Sequence, residues 1–429
     1  MPILTLRQNM FLFKPAIAIM NRLKYPQKFF LISLLFVLPL ALVMNLLLSE
    51  LDSRIEFTQK EIYGNAYLRP ISQLWQYIPQ RQLILQNQFY KSLRSINLTA
   101  QSEVLQLQTR ELDDLQSLID NEFVSLSNVD KQLGVTIQTG ERLKDLQLSW
   151  QDLRDMTGFI GFRNHDLLLE KLAQFRVHVV DSSNLILDPD LDTYYLMDAS
   201  AVKLPEMQKI LNKLMQTSTE ILFDKEITNL KKESLISLLS LLEEYNNDLT
   251  SNLERAFRNN PRGNLRDSLS SSLRIFAANL SEVIANTNQI VGKDNKFSLA
   301  DGFYRQASSF KYSFTLSQQI VDRLDELLIY RIQGFAQRKQ FILIFVAVIF
   351  SAILYLFIGF YLSVMRTVHQ LDVAAKQMTL GGAISINLDS KDELSMVVRS
   401  FTANTDQTRH KSNKLKVLSR KDYIWQHIR

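Results

Sequence analysis

The chain has 429 residues, with only 12 glycines, 9 prolines and no cysteine. The lack of cysteine excludes disulfides, thiolate metal sites and cysteine nucleophiles, and the scarcity of glycine and proline favours helices over turn-rich structure. The formal net charge is +5, yet both ends are basic while residues 49–340 hold 33 Lys and Arg against 38 Asp and Glu. The composition therefore predicts an all-α protein with basic ends and an acidic middle.

The first two segments predict a membrane anchor. Residues 1–28 are basic and contain no acid, and residues 29–48 are apolar and uncharged. About 20 such residues cross a bilayer core of roughly 30 Å. The alternative, a cleavable signal peptide, does not fit because the stretch is too long and no small-residue cleavage site follows it. Basic flanks stay in the cytoplasm, so we expect residues 1–28 to lie there.

Residues 49–340 predict a helical domain outside the membrane. Apolar residues recur at spacings of three and four, which is typical of amphipathic helices. Turn-forming residues predict breaks at 128–130, 158–161, 188–189, 259–263 and 292–295. The domain is about twice as long as a single four-helix bundle, so we expect two stacked four-helix bundles or one long bundle with extra helices. One heptad-like stripe consists of Leu168, Leu172, Phe175, Val179, Ser182 and Ile186.

The segment 182–198 is the most distinctive part of this domain. Asp188 is a good N-cap and Pro189 suits the first helical position, so a helix should begin here. Capping alone explains Asp188, Pro189 and Asp190. A ligand-binding role for Tyr194, Tyr195 and Asp198 is the competing interpretation, and calcium binding is disfavoured because no glycine-containing loop of EF-hand spacing exists.

The same segment carries a family resemblance. Its string from Asn184 to Asp198 is similar to one in the extracytoplasmic helical sensor regions of bacterial chemoreceptors and membrane histidine kinases. A Gly-x-x-Tyr-Leu-x-Pro pattern of those regions is matched by Gly64, Tyr67, Leu68 and Pro70. The resemblance covers about residues 25–340 and implies a sensor without naming its ligand.

Basic side chains near the segment raise the question of an anionic ligand. Arg163, Arg176 and Lys203 could hold one through charge-assisted hydrogen bonds, although solvated or helix-paired cations are the favoured explanation. The candidate ligand-binding residues are Arg163, Arg176, Asn184, Tyr194, Tyr195 and Asp198.

Residues 341–364 form a second uncharged stretch, which predicts a second transmembrane helix. The last outer helix, from about residue 298 to 340, should continue into it without a break. We therefore expect the chain to cross a bacterial inner membrane twice, with both termini in the cytoplasm. Arg331, Arg338 and Lys339 precede this stretch on the outer side, against the rule that basic flanks stay inside.

Residues 365–410 predict a cytoplasmic relay. An apolar register at alternating spacings of four and three is followed by a glycine pair, an extended connector and a capping box. This order resembles a HAMP domain, which implies a homodimeric parallel bundle that relays motion of the span. Three departures are the missing proline at the membrane exit, Ser395 after Asp-Glu, and Asn404 at an apolar position. The residues on the relay pattern are Val368, Leu371, Met378, Gly382, Ile384, Leu388, Asp392, Glu393 and Phe401.

Catalytic signatures are missing from the sequence. Only a basic tail, 411–429, follows the relay, which is too short for a kinase, and no Walker loop, zinc motif or nucleophile elbow occurs. We expect no enzyme activity, no cofactor and no nucleic-acid binding. Expected partners are the membrane, a second copy, a small molecule, and a histidine-kinase or chemotaxis component. The alternatives are a regulatory subunit of full-length receptors, a truncated sensor-kinase fragment, and a passive scaffold.

Overall fold

The computed structural model describes residues 4–93, 101–224, 227–292 and 299–379. All regular structure in these ranges is helical and none is strand, so the all-α prediction is confirmed for them. The α-helices are α1 (Leu4–Arg22), α2 (Tyr25–Leu93), α3 (Gln101–Ile137), α4 (Gly140–Leu153), α5 (Gly158–Ser182), α6 (Leu191–Asp198), α7 (Leu204–Asp224), α8 (Asn229–Asn259), α9 (Leu265–Val291) and α10 (Leu299–Thr379). A 3₁₀ turn (Leu185–Leu187) precedes α6, and a π-helical segment (Ala199–Lys203) joins α6 to α7.

The chain divides into two units, one of residues 1–48 with 339–429 and one of residues 49–338. In the first unit the Phe29 ring meets Phe357 and Phe360 edge-on, with centroids 6.0 and 5.3 Å apart. Its two apolar helical stretches are long enough to cross a membrane, and no residue in the most apolar part of either is buried. This exposure is compatible with lipid contact and unlike a core helix of a soluble protein.

In the second unit, the part of α2 after residue 48 is largely buried. Most of its apolar side chains from Tyr67 to Leu85 are buried, and so are polar ones such as Gln82. The helix donates hydrogen bonds to several neighbours: Tyr67 to Asp130 on α3, Gln82 to Phe162 O on α5, and Asn65 to Val321 O on α10. On the other side of the unit, α8 packs against α6, α7 and α9.

The predicted breaks can be compared with the helix ends. Helix α5 begins at Gly158, α6 follows the 188–189 break, α8 ends at Asn259, and α9 ends at Val291 before Gly292. The break predicted at 128–130 is wrong, because α3 runs through it to Ile137. Asp130 is a turn former in sequence, but here its carboxylate accepts hydrogen bonds from Tyr67 and Thr139, which favours the helical conformation.

Two further expectations concern helix continuity. The stripe on α5 is buried from Leu168 to Val179, but Ser182 is half-buried and Ile186 is exposed, because α5 ends at Ser182. The last outer helix was expected to continue into the second apolar stretch, and α10 does run as one helix from Leu299 to Thr379.

Candidate functional site

The connection between α5 and α6 is the starting point of the site. Asn184 adopts a left-handed conformation with φ 62°, which turns the chain out of α5. Asp188 and Asp190 are then extended, and α6 begins at Leu191. The prediction that Asp188 caps the helix is wrong: Asp190 occupies the cap position, and Asp188 Oδ1 accepts a hydrogen bond from the Asp190 backbone N–H at 2.9 Å.

Helix α2 approaches this connection closely at Gly64. A Cβ atom built on Gly64 would lie 2.6 Å from Ser183 Cβ and closer still to Ser183 Oγ, so no larger residue fits without movement. One turn later, the Tyr67 hydroxyl lies 2.9 Å from Asp130 Oδ1 and 3.0 Å from Thr139 Oγ1. The Gly-x-x-Tyr pattern therefore packs α2 against both α5 and α3.

Arg331 on α10 is the centre of a buried ion cluster that includes this connection. Its Nη1 donates to Glu61 Oε2 on α2 at 2.9 Å, its Nη2 to Asp188 Oδ1 at 2.8 Å, and its Nε lies 2.7 Å from Asp190 Oδ2. Nη2 also donates to the Thr193 hydroxyl. The Glu61 and Asp188 side chains are fully buried and that of Arg331 is 9% exposed, whereas that of Asp190 is 57% exposed. We call these residues the Arg331 cluster.

Charge in the Arg331 cluster is unbalanced, since one guanidinium faces three carboxylates. Burial, together with the nearby Asp188 charge, raises the pKa of Glu61 from 4.5 to about 8 even though Arg331 opposes the shift. Burial also raises the pKa of Asp188. For Arg331 burial alone would lower the pKa, but the three carboxylates outweigh it and the pKa is raised. At neutral pH, Glu61 is therefore mainly protonated and Arg331 charged.

The residues predicted to bind a ligand lie at separate places. Arg163 is exposed on α5, whereas Arg176 is buried, stacks 4.8 Å from the Trp75 ring centroid and lies 3.9 Å from Glu206. Asn184 forms the left-handed turn described above.

Tyr195 and Asp198 contact α8 instead, and Tyr194 lies beside Tyr195. The Tyr195 hydroxyl accepts from Arg255 at 3.1 Å, and Asp198 accepts from Asn252 at 2.6 Å. The Tyr194 and Tyr195 rings meet edge-on with centroids 5.3 Å apart. None of the six residues lines either of the two larger cavities described below. A ligand role for them stays a prediction.

A cavity of about 590 Å³ lies among α2, α5, α7 and α8. Its wall includes a chain of buried amides, in which Gln82 Oε1 accepts from Gln216 at 2.9 Å and from Asn212 at 3.4 Å. Trp75, Leu238 and Tyr245 supply apolar surface. The cavity has the volume of a small-molecule site.

Most of the predicted relay lies outside the described residues. Val368 is half-buried on α10, and the backbones of Leu371 and Met378 are helical. The remaining residues, Gly382, Ile384, Leu388, Asp392, Glu393 and Phe401, fall beyond Thr379. The HAMP interpretation therefore stays a prediction.

Sequence reasoning missed Glu61 and Arg331 as a pair. Arg331 was noticed only as a basic residue that breaks the positive-inside rule, and that anomaly was the available signal. Comparison with protein-family models, with curated proteins and with solved structures found no match. What the chain does must therefore be argued from its own residues.

Proposed function

We propose that the chain is a transmembrane signalling receptor. Residues 49–340 sense a stimulus outside a bacterial inner membrane, and residues 29–48 and 341–364 cross that membrane. A HAMP-like module, 365–410, passes the signal to a histidine-kinase or chemotaxis component. The receptor works as a homodimer with both termini in the cytoplasm.

The observation that supports this proposal is the set of elements that the Arg331 cluster connects. It joins the connection before α6, which carries the sensor-like string, to α2 and α10. These are the two helices that contain the uncharged stretches. A stimulus that alters the connection therefore reaches both helices through one guanidinium.

A buried ion cluster is suited to switching between two packings. Its bonds are short and directional, so a small displacement breaks them rather than stretching them, and the cost of a broken buried pair is several kcal/mol. A stimulus needs different affinities for the two packings to shift their populations. The helices then transmit the shift, because each continues as one element into its apolar stretch.

A chimera tests the proposal without knowledge of the ligand. Residues 1–410 are fused to the output domain of a sensor kinase, and phosphorylation is measured in membranes. Arg331→Met and the milder Asp190→Asn should each change basal output by about fivefold or more, the lower range of allosteric coupling.

The matched control is Arg323→Met, which removes an arginine from the same helix. In the described part of the chain, the ion pair of Arg323 is with Glu326, one turn away. Its output should equal that of the unmodified chimera. Equal output from all variants, at equal amounts of membrane-inserted folded protein, would overturn the proposal.

A further inference from the structure

A second large cavity, of about 690 Å³, lies beside the Arg331 cluster. It is bounded by residues of α2, of the start of α6, of the loop between α8 and α9, and of α10. Four arginines line it, Arg54, Arg262, Arg331 and Arg338, against the two carboxylates of Asp190 and Asp192. The wall is therefore net positive.

The two carboxylates already have partners. Asp190 is bound to Arg331 Nε, and Asp192 accepts from Asn260 Nδ2 at 3.0 Å and from the Thr193 backbone N–H at 2.9 Å. Asp192 is 7% exposed. Neither carboxylate neutralises the remaining arginines.

The other arginines that line the cavity have fewer carboxylate partners than Arg331. Among the residues that the structure describes, Arg54 forms its ion pair with Glu50, one turn earlier on the exposed face of α2. Arg262 lies over the Tyr330 ring, 3.3 Å from its centroid, which holds the guanidinium at the cavity wall. Within the ranges that the structure describes, neither Arg262 nor Arg338 has a carboxylate within ion-pair distance.

We propose that this cavity binds an oxyanion of the phosphate class, carried by a free phosphorylated solute or by a phospholipid headgroup. Arg262 and Arg338 are its principal ligands. Guanidinium groups present planar pairs of donors that match phosphate oxygens, and they do so better than lysine. Leu191, Leu327 and Phe335 supply apolar surface for the rest of the ligand.

The position of Arg338 gives a second reason. It precedes the uncharged stretch that begins at Phe341 by three residues. In the orientation proposed above it lies on the side of the membrane where basic flanks are disfavoured. A bound anion would explain why a cation lies there. In the same way, the carboxyl groups of the Arg331 cluster explain the position of Arg331.

Binding would act directly on the Arg331 cluster, and this consequence rests on the proposed receptor function. Asp190 is the exposed member of the cluster and faces the same cavity. An oxyanion therefore competes with Asp190 for Arg331 Nε. The exchange loosens the connection before α6 from α10 without breaking the two buried contacts.

The test uses the full chain purified in a non-ionic detergent. Inorganic phosphate and dihexanoyl phosphatidylglycerol are titrated while the melting temperature and the dissociation constant are measured. We expect phosphate or phosphatidylglycerol to bind. In the double variant Arg262→Gln/Arg338→Gln the dissociation constant should rise by about tenfold, which corresponds to about 1.4 kcal/mol.

Two variants separate site effects from general ones. Arg110→Gln/Arg274→Gln removes the same charge from exposed positions on α3 and α9, and it should leave the dissociation constant unchanged. Asp190→Asn removes the competing carboxylate and should tighten binding several-fold, a gain that misfolding cannot produce.

Each outcome has one meaning. Binding of phosphate, with or without phosphatidylglycerol, identifies the phosphate group itself as the ligand, and binding of phosphatidylglycerol without phosphate identifies a lipid headgroup. No binding of either, or binding that the Arg262 and Arg338 changes leave intact, would overturn the site. The kinase chimera is read separately. If Arg331→Met and Asp190→Asn change the phosphorylation output of the chimera while no probe binds, only the site fails. If phosphate binds while all chimera variants have equal output, only the signalling proposal fails.

Discussion

Arg331 illustrates how one side chain can organise a site made from distant parts of the chain. Its guanidinium has five N–H donors, and four protein groups on three elements accept them. Without it, the buried carboxyl groups of Glu61 and Asp188 would lose their guanidinium donor. The stabilisation therefore depends less on the strength of the ion pairs than on the cost of leaving these buried groups without that donor.

Replacing Arg331 with methionine should destabilise the chain by roughly 3–5 kcal/mol, the cost of removing one partner from a buried ion pair. The measurement is denaturant unfolding of the detergent-solubilised chain. Arg323→Met is the control, because the exposed Arg323–Glu326 pair contributes at most about 1 kcal/mol. Equal losses for the two variants would show that the cluster does not stabilise the fold.

Glu61 predicts a pH dependence of stability. Its pKa is raised to about 8 in the folded protein, above its ordinary value of 4.5. A raised pKa means that protonation of Glu61 stabilises the folded state. This contribution to the free energy of unfolding is fully present below about pH 4.5 and is lost as pH rises through about 8. Glu61→Gln keeps a neutral side chain at all pH values. As the pH rises from 5 to 8, the free energy of unfolding of Glu61→Gln should therefore increase relative to that of the unmodified chain.

The comparison for Glu61 needs a carboxylate outside the cluster. Glu141, an exposed residue in the first turn of α4, serves this purpose. The pH dependence of the Glu61→Gln difference is measured beside that of Glu141→Gln, which removes a carboxylate outside the cluster. A Glu61→Gln difference that does not change with pH would mean that Glu61 is ionised in the folded state throughout.

At the scale of elements, helices were predictable where the apolar pattern is regular. The spacing of Leu168, Leu172, Phe175 and Val179 places one face of α5 in the core, and their burial follows. The pattern failed at Asp130, whose polarity is typical of a turn. There a tertiary hydrogen bond from Tyr67, 63 positions earlier in the sequence, overrides the local preference.

The packing of α2 on the α5–α6 connection gives a prediction for Gly64. Gly64→Ala places a Cβ against Ser183, so the helices must separate, and overpacking of this kind costs about 1–3 kcal/mol. The double variant Gly64→Ala/Ser183→Gly removes the obstructing atoms and should recover much of the loss. Thermal unfolding of the single and double variants measures both effects.

The control for Gly64 is Gly334 on α10, where an added Cβ meets nothing within 4 Å. Gly334→Ala should be neutral or stabilise the helix by about 0.5–1 kcal/mol, since alanine has the higher helix propensity. Failure of Ser183→Gly to rescue Gly64→Ala would indicate that the close approach at this point does not limit stability.

At the scale of the whole molecule, the candidate site was much less predictable than the fold. Glu61 and Arg331 are 270 positions apart in sequence, and no local pattern relates them. The positive-inside rule identified Arg331 as anomalous but not its partners. Such a pairing follows only from the packing of α2, α10 and the connection before α6, which a single sequence does not specify.

Membrane orientation is the last prediction, and the cysteine-free sequence makes it simple to test. Single cysteines replace Val135 on α3, 95% exposed, and Phe13 on α1, 61% exposed. If basic residues 1–28 stay inside, a membrane-impermeant maleimide should label Val135→Cys in intact spheroplasts. It should label Phe13→Cys only after permeabilisation. The unmodified chain supplies a background without thiols. Labelling in the reverse pattern would place residues 49–340 in the cytoplasm, where neither the proposed sensing of an outside stimulus nor the binding of an outer-leaflet headgroup could occur.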